Sequence, residues 1–328
     1  MNNSNSFSSR LTQILRGSGS YLILLLIVVF LSIFSEQFLT IGNLLTVALQ
    51  TSIIALVAIG MTFTIITGGI DLSVGSVAAF SGALAAGLAT RNGLGTYPGI
   101  LIGLAVGTGL GLVSGLMIVY GRIPPFVSTL AMMAVARGLT LVYTQGKPIS
   151  GLDPAFTFWS SNVVGIPVPV ILLILIAIAA AIILKHTAFG NYVYAIGGGE
   201  ETARLNSVPA KKIKLGVYAL SGFTSAIAGV VLTARLWSAQ PNSGVGLELD
   251  AIAAAVLGGA SLAGGIGGIG GTIAGAFIIG VLSNGLNLLE VPSYNQQVIK
   301  GVVFILAVLL DYFFKRRINL KKEKSTIS

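Results

Sequence analysis

Charge is what this chain has least of. Asp, Glu, Lys and Arg together make up 9% of its 328 residues, and Ala251 to Leu289 runs thirty-nine residues without one. A water-soluble domain carries charge on about a quarter of its residues, so this chain cannot face water on all sides. Cysteine is absent, which excludes disulfides, iron–sulfur clusters and thiolate chemistry. The single histidine, His186, falls at the edge of an apolar run, and no histidine-built metal site is expected. No G-x-x-x-x-G-K-[ST] occurs, so the chain binds no ATP through a P-loop. No apolar segment carries paired carboxylates, and no nucleophile–base–acid set appears, which argues against a protease, a hydrolase or a proton relay.

What is present is apolar: 54% of the residues are hydrophobic. A helix crosses a bilayer with about 20 mainly apolar residues, and ten candidate spans follow: 20–35, 44–66, 73–90, 98–119, 125–143, 167–184, 215–234, 250–264, 269–289 and 297–314. The eighth is short. Unbroken runs such as Val170–Leu184 lack the alternation of a membrane β-barrel, so the expected class is an all-α polytopic membrane protein. The polar N-terminal stretch lacks a small-residue cleavage site after the first span, which is therefore read as retained.

A net charge of +9 raises nucleic acid as a partner, but its placement points to the membrane. With the N-terminus inside and ten spans, fourteen of nineteen Lys and Arg fall inside, among them Arg10, Arg122, Lys185, Arg204, Lys211 and the cluster 315–324. Arg91, Lys147 and Arg235 fall outside, and Arg137 and Lys300 lie within spans. This positive-inside bias puts both termini in the cytoplasm. The chain divides into a cytoplasmic segment 1–19, a transmembrane domain 20–314 with a cytoplasmic loop 185–214, and a basic tail 315–328.

Two segments share G-G-x-x-L-x-x-G: Gly68–Gly75 (GGIDLSVG) and Gly258–Gly265 (GGASLAGG), each at a junction between spans. They suggest pseudo-repeated halves, a pattern of transporters whose Gly-interrupted segments lie near the substrate pathway. Within the first, Gly68, Gly69, Asp71, Ser73 and Gly75 form a structural motif. A charge at membrane depth is costly, and Asp71 reads either as a cap for the following helix, with Ser73 as the alternative cap, or as a substrate contact. Arg137 needs a carboxylate or carbonyl partner, whereas Lys300, near a span end, can snorkel. Gly99, Gly103, Gly107, Gly111 and Gly115 recur every four residues, a small-residue stripe for close helix packing. Gly265–Gly270 (GIGGIG) matches G-x-G-x-x-G formally, but without a βαβ unit around it the segment reads as a turn and not as a dinucleotide site.

The loop 185–214 contains a short helical signal. Gly198 and Gly199 precede Glu200 and Glu201, with Ala203 and Arg204 following and Pro209 beyond. The acids lie in the first turn and the base near the end, as the helix dipole favours. Either the helix docks into a partner's groove or the loop only separates two spans. Gln50, Thr62, Thr64, Asn284 and Asn287 are polar residues in or near spans. They are candidates to line a path for a neutral hydroxylated substrate, or to bond neighbouring helices.

Gly60–Ser76 (GMTFTIITGGIDLSVGS), Ser238–Gly265 and Ser283–Leu289 (SNGLNLL) carry a resemblance. Over about Leu31–Asp311 the chain resembles the membrane permease subunits of bacterial sugar-uptake ABC transporters, in the ribose, xylose, galactose and autoinducer group. That likeness implies import of a monosaccharide, with ribose favoured over another monosaccharide or a furanosyl autoinducer. It implies no catalytic activity and no cofactor or metal on this chain. ATP and Mg would belong to a separate cytoplasmic ATPase, an extracytoplasmic protein would deliver sugar, and a second permease copy would complete the core. The loop around Gly198–Val208 is similar to the family's coupling helix. It departs at Gly199, Glu201 and Ser207, where the family often has Asn, Ala and Gly. The competing reading is a stand-alone ion-coupled carrier.

Overall fold

The computed structural model describes residues 4–326, with side-chain surroundings for residues 19–309. The expected N-terminal segment 1–19 and basic tail 315–328 therefore lie mostly outside the described side chains. Thirteen helices follow one another among the described residues. They are α1 (Ser4–Phe34), α2 (Ile41–Ile66), α3 (Val74–Thr90), α4 (Thr96–Val119), α5 (Pro125–Thr144), α6 (Pro154–Thr157), α7 (Val168–His186), α8 (Ala188–Gly198), α9 (Glu200–Leu205), α10 (Ala210–Arg235), α11 (Leu247–Leu257), α12 (Ile269–Leu288) and α13 (Ser293–Thr326). The described strands are a two-residue antiparallel pair, β1 (Asn162–Val163) and β2 (Ile166–Pro167).

Six helices, α2, α4, α5, α7, α10 and α12, are long and apolar enough to cross a membrane; Gly19–Phe34, α3 and Ser293–Leu309 are shorter apolar helical stretches. The protein is thus an all-α, multi-pass membrane protein. The helix containing the first expected span extends back to Ser4. The eighth expected span, 250–264, is not a full crossing. Its helix, α11, has 11 residues and spans about 16 Å, roughly half the hydrocarbon thickness. It stops where Gly259, Gly264 and Gly265 take left-handed φ values of 90°, 86° and 74°, a conformation that glycine adopts without strain.

Sequence chemistry fixes several helix ends. The Thr40 hydroxyl accepts from the Asn43 N–H at the start of α2, and that of Thr187 accepts from Gly190 at the start of α8. Pro125 opens α5, where its missing N–H costs nothing. Every residue of α2 from Thr51 to Ile66 is buried, and α10 packs among α2, α3 and α4. Other large apolar side chains point outward, as on α7, where Ile174, Leu175, Ile178 and Ile182 are exposed. Lipid is as apolar as leucine, so helices approach most closely where small residues let backbones meet.

The glycine stripe of α4 does this along its whole length. Gly99 and Gly103 face the backbone oxygens of Ala85 and Ser81 on α3. Gly107, Gly111 and Gly115 face Ala226, Tyr218 and Leu215 on α10. A methyl group at Gly111 would collide with the Tyr218 carbonyl, whereas one at Gly109, off the stripe, would meet nothing.

Candidate functional site

Two irregular segments enter the helical body. The first, residues 67–73, separates α2 from α3. Within it the Asp71 carboxylate is 1% exposed. Its Oδ1 accepts from the Ser73 N–H at 3.0 Å and the Ser73 hydroxyl at 2.6 Å, and its Oδ2 accepts from the Ser221 hydroxyl at 2.8 Å. Ser221 is the twelfth residue of the 26 in α10, about 17 Å along a 39 Å helix. The break therefore packs against the middle of α10. Asp71 closes the turn that leads into α3 and ties it to α10; Ser73 stands at the helix N-cap position without capping through its side chain. Gly68 turns the chain with φ 79°, and Gly69 leaves room for the Tyr218 ring hydroxyl. Tyr218 is 1% exposed and its hydroxyl has no hydrogen-bond partner among the described residues. The Thr129 hydroxyl of α5 donates to the Ile70 carbonyl at 3.0 Å.

The second segment, residues 236–246, joins α10 to α11. Arg137, thirteenth of the 20 residues of α5, donates through Nη1 to the carbonyls of Pro241 (2.8 Å) and Ser243 (2.9 Å). These are the carbonyl partners that a guanidinium at this depth requires, and they draw the segment into the body of the protein. The second segment meets the first turn of α3, just after the first segment, where Gly75 and Gly244 lie backbone against backbone beside the Glu248 carboxylate. Irregular backbone at membrane depth is tolerated only when protein buries it or when it lines a cavity.

Lys300 finds a partner on a neighbouring helix. Its ammonium pairs with Asp250 of α11 at 3.1 Å, because two opposite charges on adjacent helices offset one another better than either reaches water. Ser221, Tyr218, Pro241 and Ser243 escaped the sequence reading. A hydroxyl or a carbonyl carries no signal until the fold aims it, and Asp250 escaped it too, whereas Lys300 was visible as a charge within an apolar run.

The polar residues expected to line a path take separate positions. Thr62 is buried, donates to the Ala58 carbonyl and shares a 2.6 Å hydroxyl contact with Thr272 of α12. Thr64 is buried and donates to the Met61 carbonyl. Asn284 exchanges two hydrogen bonds with Asn43, at 2.7 and 3.1 Å, tying α12 to α2. Asn287 is exposed and accepts from Gln296. Gln50 is partly buried.

Gly198 ends α8, and Gly199 alone separates it from α9. Only Ala203 of α9 is buried. Glu200 forms an ion pair with Lys214 of α10. Glu201 and Arg204 pair along the exposed side at 2.6 and 3.2 Å, and this hydrogen bond and charge hold the Glu201 carboxyl below the usual range. Leu205 projects outward, 75% exposed. Ser207 ends the turn in a left-handed conformation, φ 62°, which glycine adopts freely and serine does not. Just before α9, Gly197 presses on the Ile66 carbonyl and on Gly265. The Gly265 N–H donates to that same carbonyl at 2.8 Å. Thus the ends of α8 and α2 and the α11–α12 turn share one backbone junction. The GIGGIG segment is this turn. No His, Cys, Asp and Glu cluster able to hold a metal occurs among the described residues.

Residues 43–308 match the family model described as branched-chain amino acid transport system / permease component. The ribose import permease protein RbsC of Bacillus subtilis is 48% identical over 296 residues, covering 89% of this chain and 92% of that protein. The protein of the same name from Escherichia coli K12 is 46% identical over 297 residues, with 89% and 92% covered. The D-allose transport system permease protein AlsC of Escherichia coli K12 is 38% identical over 295 residues, covering 89% and 90%. No solved structure matches.

Proposed function

The chain belongs to the branched-chain amino acid transport system / permease component family, as a ribose-type ABC permease, and from that premise we propose that it is the translocating subunit of a ribose importer. Near-half identity to ribose permeases over almost the full length carries this reading. The chain is a transport subunit and not an enzyme. The energy comes from ATP and Mg on a separate cytoplasmic ATPase, and an extracytoplasmic binding protein delivers the sugar. Two copies of the chain form the core in the bacterial cell membrane, each with both termini in the cytoplasm. The ten apolar segments run as two related halves, with α11 and the segment before it together making one crossing.

The coupling element is α9 with Gly198 and Gly199, which offers Glu200, Glu201, Arg204 and Leu205 to the ATPase while Ala203 anchors it. Its movement reaches the transport path through the junction of Gly197, Ile66 and Gly265. That junction adjoins the break held by Asp71. Rigid displacement of packed backbone is the usual way such a push travels. Of the path candidates, Gln50 and Asn287 remain open to a sugar hydroxyl, while Thr62, Thr64 and Asn284 serve it by positioning α2 and α12.

The test is uptake of labelled ribose, xylose and galactose into vesicles holding this chain, its ATPase and its binding protein. Ribose-selective uptake that needs ATP is expected. Uptake that persists without the ATPase would instead support the ion-coupled carrier.

A further inference from the structure

Where α4 turns into α5, a groove of about 340 Å³ opens against the start of α10. Ile118 and Pro124 contribute apolar wall, and Arg122, Lys211, Lys214 and Glu200 supply its charges. Three cations thus face one carboxylate, which is already paired with Lys214. Arg122 has no ion-pair partner among the described residues, and the Lys211 ammonium lies 5.5 Å from the centre of the Tyr120 ring. Both α5 and α10 begin at this groove without an acidic residue in the first turn. Their dipoles add to the positive field and leave the lysines of α10 at an unfavourable helix end. Arg122 is also held in a left-handed conformation, φ 52°. That conformation closes the end of α4, where the Ile123 N–H donates to the Met117 carbonyl at 3.2 Å, and it fixes where the Arg122 side chain leaves the turn.

We propose that this groove binds the phosphate headgroup of an anionic phospholipid. The location selects lipid over a soluble anion. The groove lies at the end of α4 and the start of α5, which the topology proposed above puts at the cytoplasmic membrane surface. Below it Val113 and Leu116 of α4 and Phe126 and Val127 of α5 turn exposed apolar side chains outward, a surface for the acyl chains. Basic pockets between membrane helices take anionic headgroups in this way. The bound phosphate competes with Glu200 for Lys214. Lipid composition therefore bears on the position of α9, a consequence that goes beyond the transport reading.

The experiment is native mass spectrometry of the full chain extracted with phosphatidylglycerol and phosphatidylcholine of identical acyl composition. Arg122→Gly serves as the variant because glycine accepts φ 52° without strain, so folding is kept while the charge is lost; Lys211→Gln is its partner. Preferential retention of phosphatidylglycerol is expected, reduced roughly fivefold by each variant and raised by Glu200→Gln. Equal retention of the two lipids, or a preference that both variants leave unchanged, overturns the proposal. So does displacement of the bound lipid by millimolar inorganic phosphate, which identifies a site for free anion. Loss of ATPase binding in the variants with lipid retention unchanged overturns it too, assigning the groove to protein.

Discussion

Asp71 is a carboxylate in the middle of a membrane protein with three donors and no cation bonded to it. Removing one donor leaves an oxygen of that carboxylate short of a partner, and removing the carboxylate strands all three donors. Burying an unsatisfied polar group costs about 1–3 kcal/mol. Ser221→Ala is therefore expected to cost about 1 kcal/mol, and Asp71→Ala about 2–4 kcal/mol because several unmet bonds add. Thermal unfolding of the purified variants in detergent would rank them; an Asp71→Ala protein as stable as the parent would show that the break does not depend on this residue. Arg137 acts by the same logic from the other segment, since its guanidinium is what satisfies the Pro241 and Ser243 carbonyls.

Helices here meet through glycine, and the stripe on α4 makes the point testable. Gly111 touches the α10 backbone while Gly109, two residues away, has open space around it. Gly111→Ala is expected to part α4 from α10 and lower the unfolding temperature by several degrees. Gly109→Ala leaves stability unchanged or raises it by up to about 1 kcal/mol through helix propensity. Equal effects at the two positions would contradict the packing described. The short helix α9 makes a different prediction. Its Glu201–Arg204 pair is solvent-exposed and adds little to stability. Replacing both by alanine leaves the fold intact, and in a pull-down with the ATPase it weakens the complex; undiminished binding would remove these two residues from the coupling surface.

For the whole molecule the open quantity is which way each end faces. The absence of cysteine makes single-cysteine labelling clean. With both termini in the cytoplasm, a cysteine at Val164, 96% exposed in the α6–α7 connection, reacts in intact cells with a membrane-impermeant thiol reagent. One at Leu205, 75% exposed on α9, reacts only after the membrane is opened. The reverse pattern would invert the topology and detach the coupling role from α9.

Composition and hydropathy determined the class. Too little charge and long apolar runs leave helices in lipid as the way to satisfy the backbone, and seven of the ten segments, the second to seventh and the ninth, were legible within five residues of their helical ends, while α1 and α13 run well beyond the first and tenth. The glycine period of α4 was legible as well, because a repeat of four residues marks one helix face whatever lies opposite. The length of α11 was not. Hydropathy averages across Gly258–Gly265, whereas helix continuity is decided residue by residue through φ. Nor could the sequence say which polar groups would share a site. Asp71 and Ser221 are 150 residues apart, and Asn43 and Asn284 are 241 apart. Hydrogen bonds of 2.7–3.1 Å between such residues exist only once the helices have packed. Tertiary structure alone therefore decided that Asn284 staples two helices, that Asp71 ties the break after α2 to the middle of α10, and that the end of α8 rests on the same backbone carbonyl as the α11–α12 turn.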